Sequence, residues 1–348
     1  YQAAPLQKEL RANAAQYTAA PWLQELLTSA ADELEADPSA SGRFSVTAAL
    51  LADLRRALPK IGSAGARLDV LDLSLRAEGE HFRAAAELRE MKDPVTRRGQ
   101  LDYLAAAGKA AYGTGLVNAR LLDELNRSLE ALAGEEVPLD RYQAELAYLG
   151  RVPGWGTQAL RMPFYGSMEK LAEIEPMAML FIQDQLRGSP LLFFSQLLDG
   201  LSRDANRLAG VKHRLFGETI GTGFTALNPG LAGGVLHVEP DLSDLENFRP
   251  DGIYLLPETV SDLPPVAGIL TQGEGNPLSH VQLLARNLGI PNVTVDGSLV
   301  ERLQAHDGKQ VVLAVSPSGL DELSAWNDEW ATVFEETSSE GGVVIRPD

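Results

Sequence analysis

The sequence predicts a multidomain protein, with an all-α region over residues 1–215, a compact α/β domain over residues 216–325 and an acidic linker over residues 326–348. Three observations predict it. Up to residue 215, Ala, Leu, Glu and Arg dominate and β-branched residues are scarce, which is a helix-forming composition. After Phe216, glycine, proline and β-branched residues rise, and short apolar runs alternate with helical stretches. Hydrophobic residues make up 45% of the 348, enough for a sizeable core in each of two or three domains.

Within the helical region, Leu68 to Arg89 carries apolar residues at helical spacing, with Val70, Leu71, Leu75, Phe82, Ala85 and Leu88 expected on the buried face. Leu116 to Leu132 and Leu192 to Leu215 read as helices of the same kind. Pro21, Pro59, Pro94, Pro138 and Pro153 punctuate the run at expected helix boundaries. The turn-rich stretch Arg151 to Gly156 is expected to divide the region into two bundles. No self-similarity recurs at roughly 20–50 residues, so a solenoid is not supported.

In the α/β domain, strands are expected at Gly234 to Val238, Gly252 to Leu256, Ala267 to Thr271, Asn292 to Val295 and Gln310 to Val315. Helices are expected at Ser279 to Asn287 and Leu299 to Gln304, with a turn at Asp307-Gly308. The acidic tail Asp321 to Glu340 reads as a short helix followed by a linker. The end at Asp348 and the start at Tyr1 suggest a piece of a longer polypeptide.

The net charge of −18 disfavours a general nucleic-acid binder and an anionic membrane surface, both of which call for a basic face. The absence of cysteine excludes disulfides, thiolate metal sites and cysteine nucleophiles, and fits a cytoplasmic location. No apolar run approaches the roughly 20 residues of a membrane span.

The most informative stretch is Gly268-Ile-Leu-Thr-Gln-Gly-Glu-Gly-Asn-Pro-Leu-Ser-His280, which reads as a strand, a glycine-rich loop and a helix start. Ser279 fits the N-cap and Gln282 the third helical position, a capping box. His280 then falls in the first turn, where free backbone N–H groups and a partial positive charge hold phosphate and favour the neutral imidazole. Gly273 and Gly275 allow close backbone approach, and Pro277 stiffens the entry to the helix. Neutral imidazole is a competent nucleophile, so the arrangement suits a histidine that carries a phosphoryl group. Thr271 is expected either to orient that imidazole or to cap a turn, and Arg286 either to reach a phosphate from the same helix or to form a surface salt bridge.

These elements resemble the phosphohistidine, or swivelling, domain of the PEP-utilising enzymes, among them phosphoenolpyruvate synthase and pyruvate phosphate dikinase. The family pattern is a strand ending in Thr, a Gly-Gly loop, Ser/Cys-His, a helix with Ala-Arg, and Gly-Ile-Pro. It stands here as Gly268 to Thr271, Gly273-Glu-Gly275, Ser279-His280, Ala285-Arg286 and Gly289-Ile-Pro291. The domain's usual opening appears as Pro229-Gly-Leu-Ala-Gly-Gly-Val-Leu236, with Leu236 in place of Val. Glu274 splits the paired glycines, and the loop variant with Ala285-Arg-Asn287 is also similar to the glucan water dikinases.

The resemblance implies that His280 accepts a phosphoryl group from ATP or PEP and passes it to an acceptor such as pyruvate. No cofactor is expected within this chain. ATP and magnesium are implied for the parent enzyme, in an ATP-binding domain beyond residue 348 or on another chain. Mobile connections are then expected at Phe216 to Thr225 and Ser316 to Glu340. A non-catalytic regulatory module retaining the fold, and a polysaccharide-directed water dikinase, are the alternatives. Among the other histidines, His81 lacks the ligand spacing of a metal site. His213 reads as part of a basic helix end, His237 as a strand residue packing on the sheet, and His306 as solvated. Gly221-x-Gly223 lacks the preceding strand of a dinucleotide site, and Phe193-Phe194 reads as core or domain contact.

Overall fold

The structure is a computed structural model that describes residues 4–91, 95–175, 178, 180–210, 213–220, 223–238, 240–242, 248–257, 265–273, 281–282, 285, 288–316, 321–331 and 334. It divides into two compact units, Tyr1–Ala205 and Asn206–Asp348.

The first unit is helical: α1 (Leu6–Ala14), α2 (Pro21–Ala36), α3 (Ala40–Ala57), α4 (Ala64–Glu90), α5 (Arg97–Gly113), α6 (Ala119–Leu132), α7 (Leu139–Leu149), α8 (Val152–Ala172), α9 (Phe181–Arg187) and α10 (Pro190–Leu208), the last running across the division into the second unit. Starts are set by capping side chains: Ser39 accepts from Gly42 N–H at 3.0 Å, Thr96 from Gly99 N–H at 3.2 Å and Asn118 from Leu121 N–H at 2.9 Å. Helix α3 is the centre of the unit and packs against α2, α4 and α5. Its Phe44, fully buried, stacks on His81 at 4.1 Å and meets Tyr103 and Phe193 edge-on. The end of α5 approaches α3 so closely that a Cβ on Gly113 would lie 2.5 Å from Leu51.

Several expectations change here. Residues 152–156, read as part of a break between bundles, are the first turns of α8, with Pro153 at a position where its missing N–H costs nothing. Pro163 lies inside α8. On α4, Val70, Ala85 and Leu88 are buried as expected, whereas Leu71, Leu75 and Phe82 are exposed. Helix α10 ends at Leu208, and the division between units falls at Ala205/Asn206, earlier than residue 215. His81, which lacks metal-site spacing in the sequence, is buried in the helical core.

The second unit holds one sheet built from β1 (His213–Leu215), β2 (Glu218–Ile220), β3 (Phe224–Asn228), β4 (Gly230–Val238), β5 (Gly252–Pro257), β6 (Gly268–Gln272), β7 (Asn292–Val295), β8 (Gln310–Val315) and β9 (Asp321–Ala325). Helix α11 (Val300–Gln304) precedes β8. The strand order is β2-β1-β9-β8-β4-β5-β6-β7-β3. Strands β4 to β7 are mutually parallel, flanked by antiparallel β8 and β3. The sheet curls until β3 touches β9. One face encloses a core of Leu215, Phe224, Leu236, Leu255, Leu270, Val293, Leu313 and Leu323. The opposite face carries Tyr254, Leu256 and Ile269, covered by Val281, Ala285 and Ile290.

The five expected strands are all present, and four more join them. Phe216 to Thr225, expected as a mobile connection, contains β2 and the start of β3. The β1–β2 hairpin turns on Phe216 and Gly217, both at positive φ (50° and 85°), the backbone a two-residue hairpin requires. Phe216 is held there by stacking on His306 at 3.4 Å, so His306 is half-buried rather than solvated. The acidic stretch from Asp321, expected as helix, opens with β9. His213 belongs to β1 rather than to a helix end. Its Nδ1 lies 3.0 Å from a carboxylate oxygen of fully buried Asp321, whose pKa burial pushes up and His213 partly restores. Among the described residues no helix is long and apolar enough to cross a membrane.

Candidate site at the carboxyl edge of the parallel strands

The register brings the ends of the parallel strands to one edge. Leu256, Thr271 and Thr294 stand side by side on β5, β6 and β7, and Pro257, Gln272 and Val295 follow them. The chain leaving β6 therefore emerges where parallel α/β sheets place their ligands, beyond the carboxyl ends of the strands. Gly273 extends the ladder by one bond, its N–H donating to Val295 O at 3.4 Å, and then turns away at φ 153°, a conformation side chains disfavour.

The two ends of the expected motif meet in space. Gly230, at φ 156°, packs so tightly on Pro291 that a Cβ would lie 3.1 Å from its ring. Beside it, Asn228 Nδ2 donates to Ile290 O at 2.6 Å, tying β3 to the segment before β7. A second bond, Ile290 N–H to Ala285 O at 2.8 Å, closes the helical residues onto that segment. Pro229-Gly230 and Gly289-Ile-Pro291, far apart in sequence, thus brace each other at the amino end of β7.

Of the site residues expected from sequence, Thr271, Gly273 and Gln282 are described. Ser279, His280, Gly275 and Arg286, with Glu274, lie outside the described residues. Thr271 is fully buried, and its hydroxyl donates to Asn292 Oδ1 at 2.9 Å. Gln282 is helical and buried, and neither end of its amide has a partner among the described residues. Asn292 Nδ2 and Thr294 Oγ1 are buried and unpartnered in the same sense. Thr271, Asn292 and Thr294 all project from the face that Val281 and Ala285 cover, because residues alternate along a strand and Leu270, Val293 and Val295 take the opposite face. His237 stands on that face too, stacked on Tyr254 at 4.6 Å, in line with its expected packing on the sheet.

The result is a group of neutral polar side chains on this face, with Thr271 and Thr294 side by side near the carboxyl ends of their strands and Asn292 at the start of β7. Each buried, unpaired group costs about 1–3 kcal/mol, so such a concentration is a place where a loop or a ligand supplies partners. Asn292 and Thr294 escaped the sequence reading, although the alternation Asn292-Val-Thr-Val295 carries the signal: one apolar and one polar face. Among the described residues no three His, Asp or Glu side chains are grouped as metal ligands.

No family model, no curated protein and no solved structure matches the chain.

Proposed function

We propose that the chain is a phosphotransferase component of the PEP synthase/dikinase type, in which His280 carries a phosphoryl group between a donor site and an acceptor site. The observation that carries this reading is how the fold holds the ordered motif pieces: Thr271 is buried near the carboxyl end of β6, the chain leaves that edge from Gly273, and at the amino end of β7 Pro229-Gly230 packs on Gly289-Ile-Pro291. That is the frame a phosphate-handling helix start needs, with flanking elements held rigid on both sides.

In the forward step a lone pair on the His280 imidazole attacks a phosphorus of the donor. A P–N bond forms as the bond to the leaving oxygen breaks, and the nucleotide or the enolate departs with those electrons. The acceptor's oxygen later attacks the same phosphorus and the imidazole leaves unchanged. Positioning and charge neutralisation dominate such transfers. The described polar side chains on this face (Thr271, Gln282, Asn292 and Thr294) are neutral and suit hydrogen bonding to the carrier segment. Under this reading ATP and magnesium are supplied by a separate donor domain, in the same polypeptide or in trans, with pyruvate as the model acceptor and the cytoplasm as the setting.

The test is labelling of the full-length polypeptide with ATP labelled at the β- or at the γ-phosphate and, separately, with labelled PEP. The expected result is an acid-labile, base-stable label that His280→Ala abolishes. Absence of label from both donors leaves only a non-catalytic module and overturns the proposal.

A further inference from the structure

Helix α4 is apolar on two faces. At 100° per residue, Val70, Leu73, Ala77, His81, Ala84 and Leu88 share one arc, and all are buried in the helical unit. Leu68, Leu71, Leu75 and Phe82 share a second arc, centred about 140° away by the same count. They are 62%, 44%, 66% and 38% exposed. Isolated exposed leucines are ordinary, but these follow the alternating 3–4 spacing of a coiled-coil seam, with Glu78 at the place between Leu75 and Phe82. The row runs on to Ala85 and Arg89, which with Phe82 line a cleft against Pro190, Leu192 and Phe193 at the start of α10. One face of α4 has its partner and the other is a row of knobs without holes.

The charges along the seam say what fits it. Three of its arginines are engaged inside the unit: Arg67 donates to Ile61 O at 2.6 Å, Arg76 pairs with Glu9 at 2.8 Å and Arg83 pairs with Glu80 at 2.5 Å, while Arg89 stands at the far end, where the row enters the cleft. Asp72 and Glu78 bracket the apolar row on its two sides, and neither has a partner among the described residues. Glu78 is half-buried, and desolvation alone holds its pKa above the ordinary carboxylate value. A cation on the incoming surface relieves that cost. A second copy of this chain is disfavoured: paired in parallel it sets the same acids against each other, and in either direction two chains of net charge −18 repel.

We propose that the outer face of α4 is a docking seam for an amphipathic helix of another protein, with apolar residues at 3–4 spacing and Lys or Arg facing Asp72 and Glu78. The mode is helix-in-groove recognition, in which the apolar row supplies affinity and the bracketing acids supply specificity. It is independent of the phosphotransfer reading, since it rests on the helical unit alone.

The test uses the intact chain and two synthetic helical peptides of about four heptads, with the same Leu seam and either Lys or Glu at the flanking positions. Fluorescence anisotropy reads binding, and sedimentation velocity reads self-association. The proposal expects the Lys peptide to bind and the Glu peptide to bind at least about tenfold more weakly, a difference of about 1.4 kcal/mol. Asp72→Asn with Glu78→Gln should narrow that gap. Leu75→Asp should abolish binding although it adds negative charge, so general attraction to an acidic protein predicts the opposite. Leu75 is exposed, and an unchanged melting temperature establishes that the variant folds. No binding of either peptide, or binding that Leu75→Asp leaves intact, overturns the proposal. A dimer of the chain itself that Leu75→Asp dissociates overturns it in favour of a second copy.

Discussion

His81 should make the helical unit acid-sensitive, and the size of the effect follows from its surroundings. The ring is 1% exposed and stacks on Phe44. Nδ1 lies 3.1 Å from Phe44 O, which only accepts, so Nδ1 carries the proton and Nε2 the lone pair. Nε2 is buried without a partner among the described residues, so nothing there welcomes a second proton. Burial lowers the pKa to about 4, against 6.5 for the free side chain, with the bond to Phe44 O opposing in part. The unfolded chain therefore binds the proton first as pH falls, and stability is lost between the two values. The linkage amounts to about 2 kcal/mol at pH 5 and about 3 kcal/mol at pH 4, relative to neutral pH. His81→Phe keeps the stack and removes the titration, at the cost of one donor, about 1 kcal/mol at all pH values. Urea melts followed by helical circular dichroism should show the wild type losing stability relative to His81→Phe as pH drops from 7 to 4. Parallel pH profiles for the two proteins would refute the argument.

Three further outcomes are expected. Thr271→Val removes the hydroxyl that donates to Asn292 Oδ1, so melting should report a loss of about 1–2 kcal/mol; under the phosphotransfer proposal, labelling of His280 should also slow. Gly230→Ala sets a Cβ against Pro291 at a backbone angle that disfavours side chains, and should cost about 1–3 kcal/mol, seen as a lower melting temperature of the sheet unit. For Asp321, burial raises the folded-state pKa. The folded carboxyl thus holds its proton to higher pH than the unfolded one, and its contribution is lost as pH rises through the raised value. The wild type should gain stability relative to Asp321→Asn as pH falls from neutral towards the ordinary carboxylate range, in the same melts.

Much of the sheet unit was legible because its central strands advertise themselves locally. Val, Ile and Leu runs bounded by glycine and proline mark β4 to β8, and Asp307-Gly308 marks a turn with Gly308 at φ 73°. Strand β9 was not legible. Asp321-Glu-Leu-Ser-Ala325 opens with two acids and has no β-branched residue, and its place depends on the pairing of buried Asp321 with His213 on β1. Such a contact, distant in sequence, leaves no local pattern. On α4 the sequence shows which positions are apolar but not which of two apolar arcs finds a partner, so Leu71, Leu75 and Phe82 were assigned to the core although they are exposed. At the candidate site, β6 runs one residue past the expected Thr271 to Gln272, with Gly273 following it, while the polar faces of Asn292 and Thr294 emerge only once the register of β6 and β7 is known.

The central claim is that His280 carries phosphate. The most direct measurement is peptide mapping at neutral to basic pH of the full-length polypeptide after incubation with ATP or PEP, which preserves a P–N bond and locates it. The account predicts a phosphoryl group on the peptide containing His280, removed by brief acid treatment and absent in His280→Ala. A phosphoryl group confined to another residue, or none on any peptide with either donor, would contradict it.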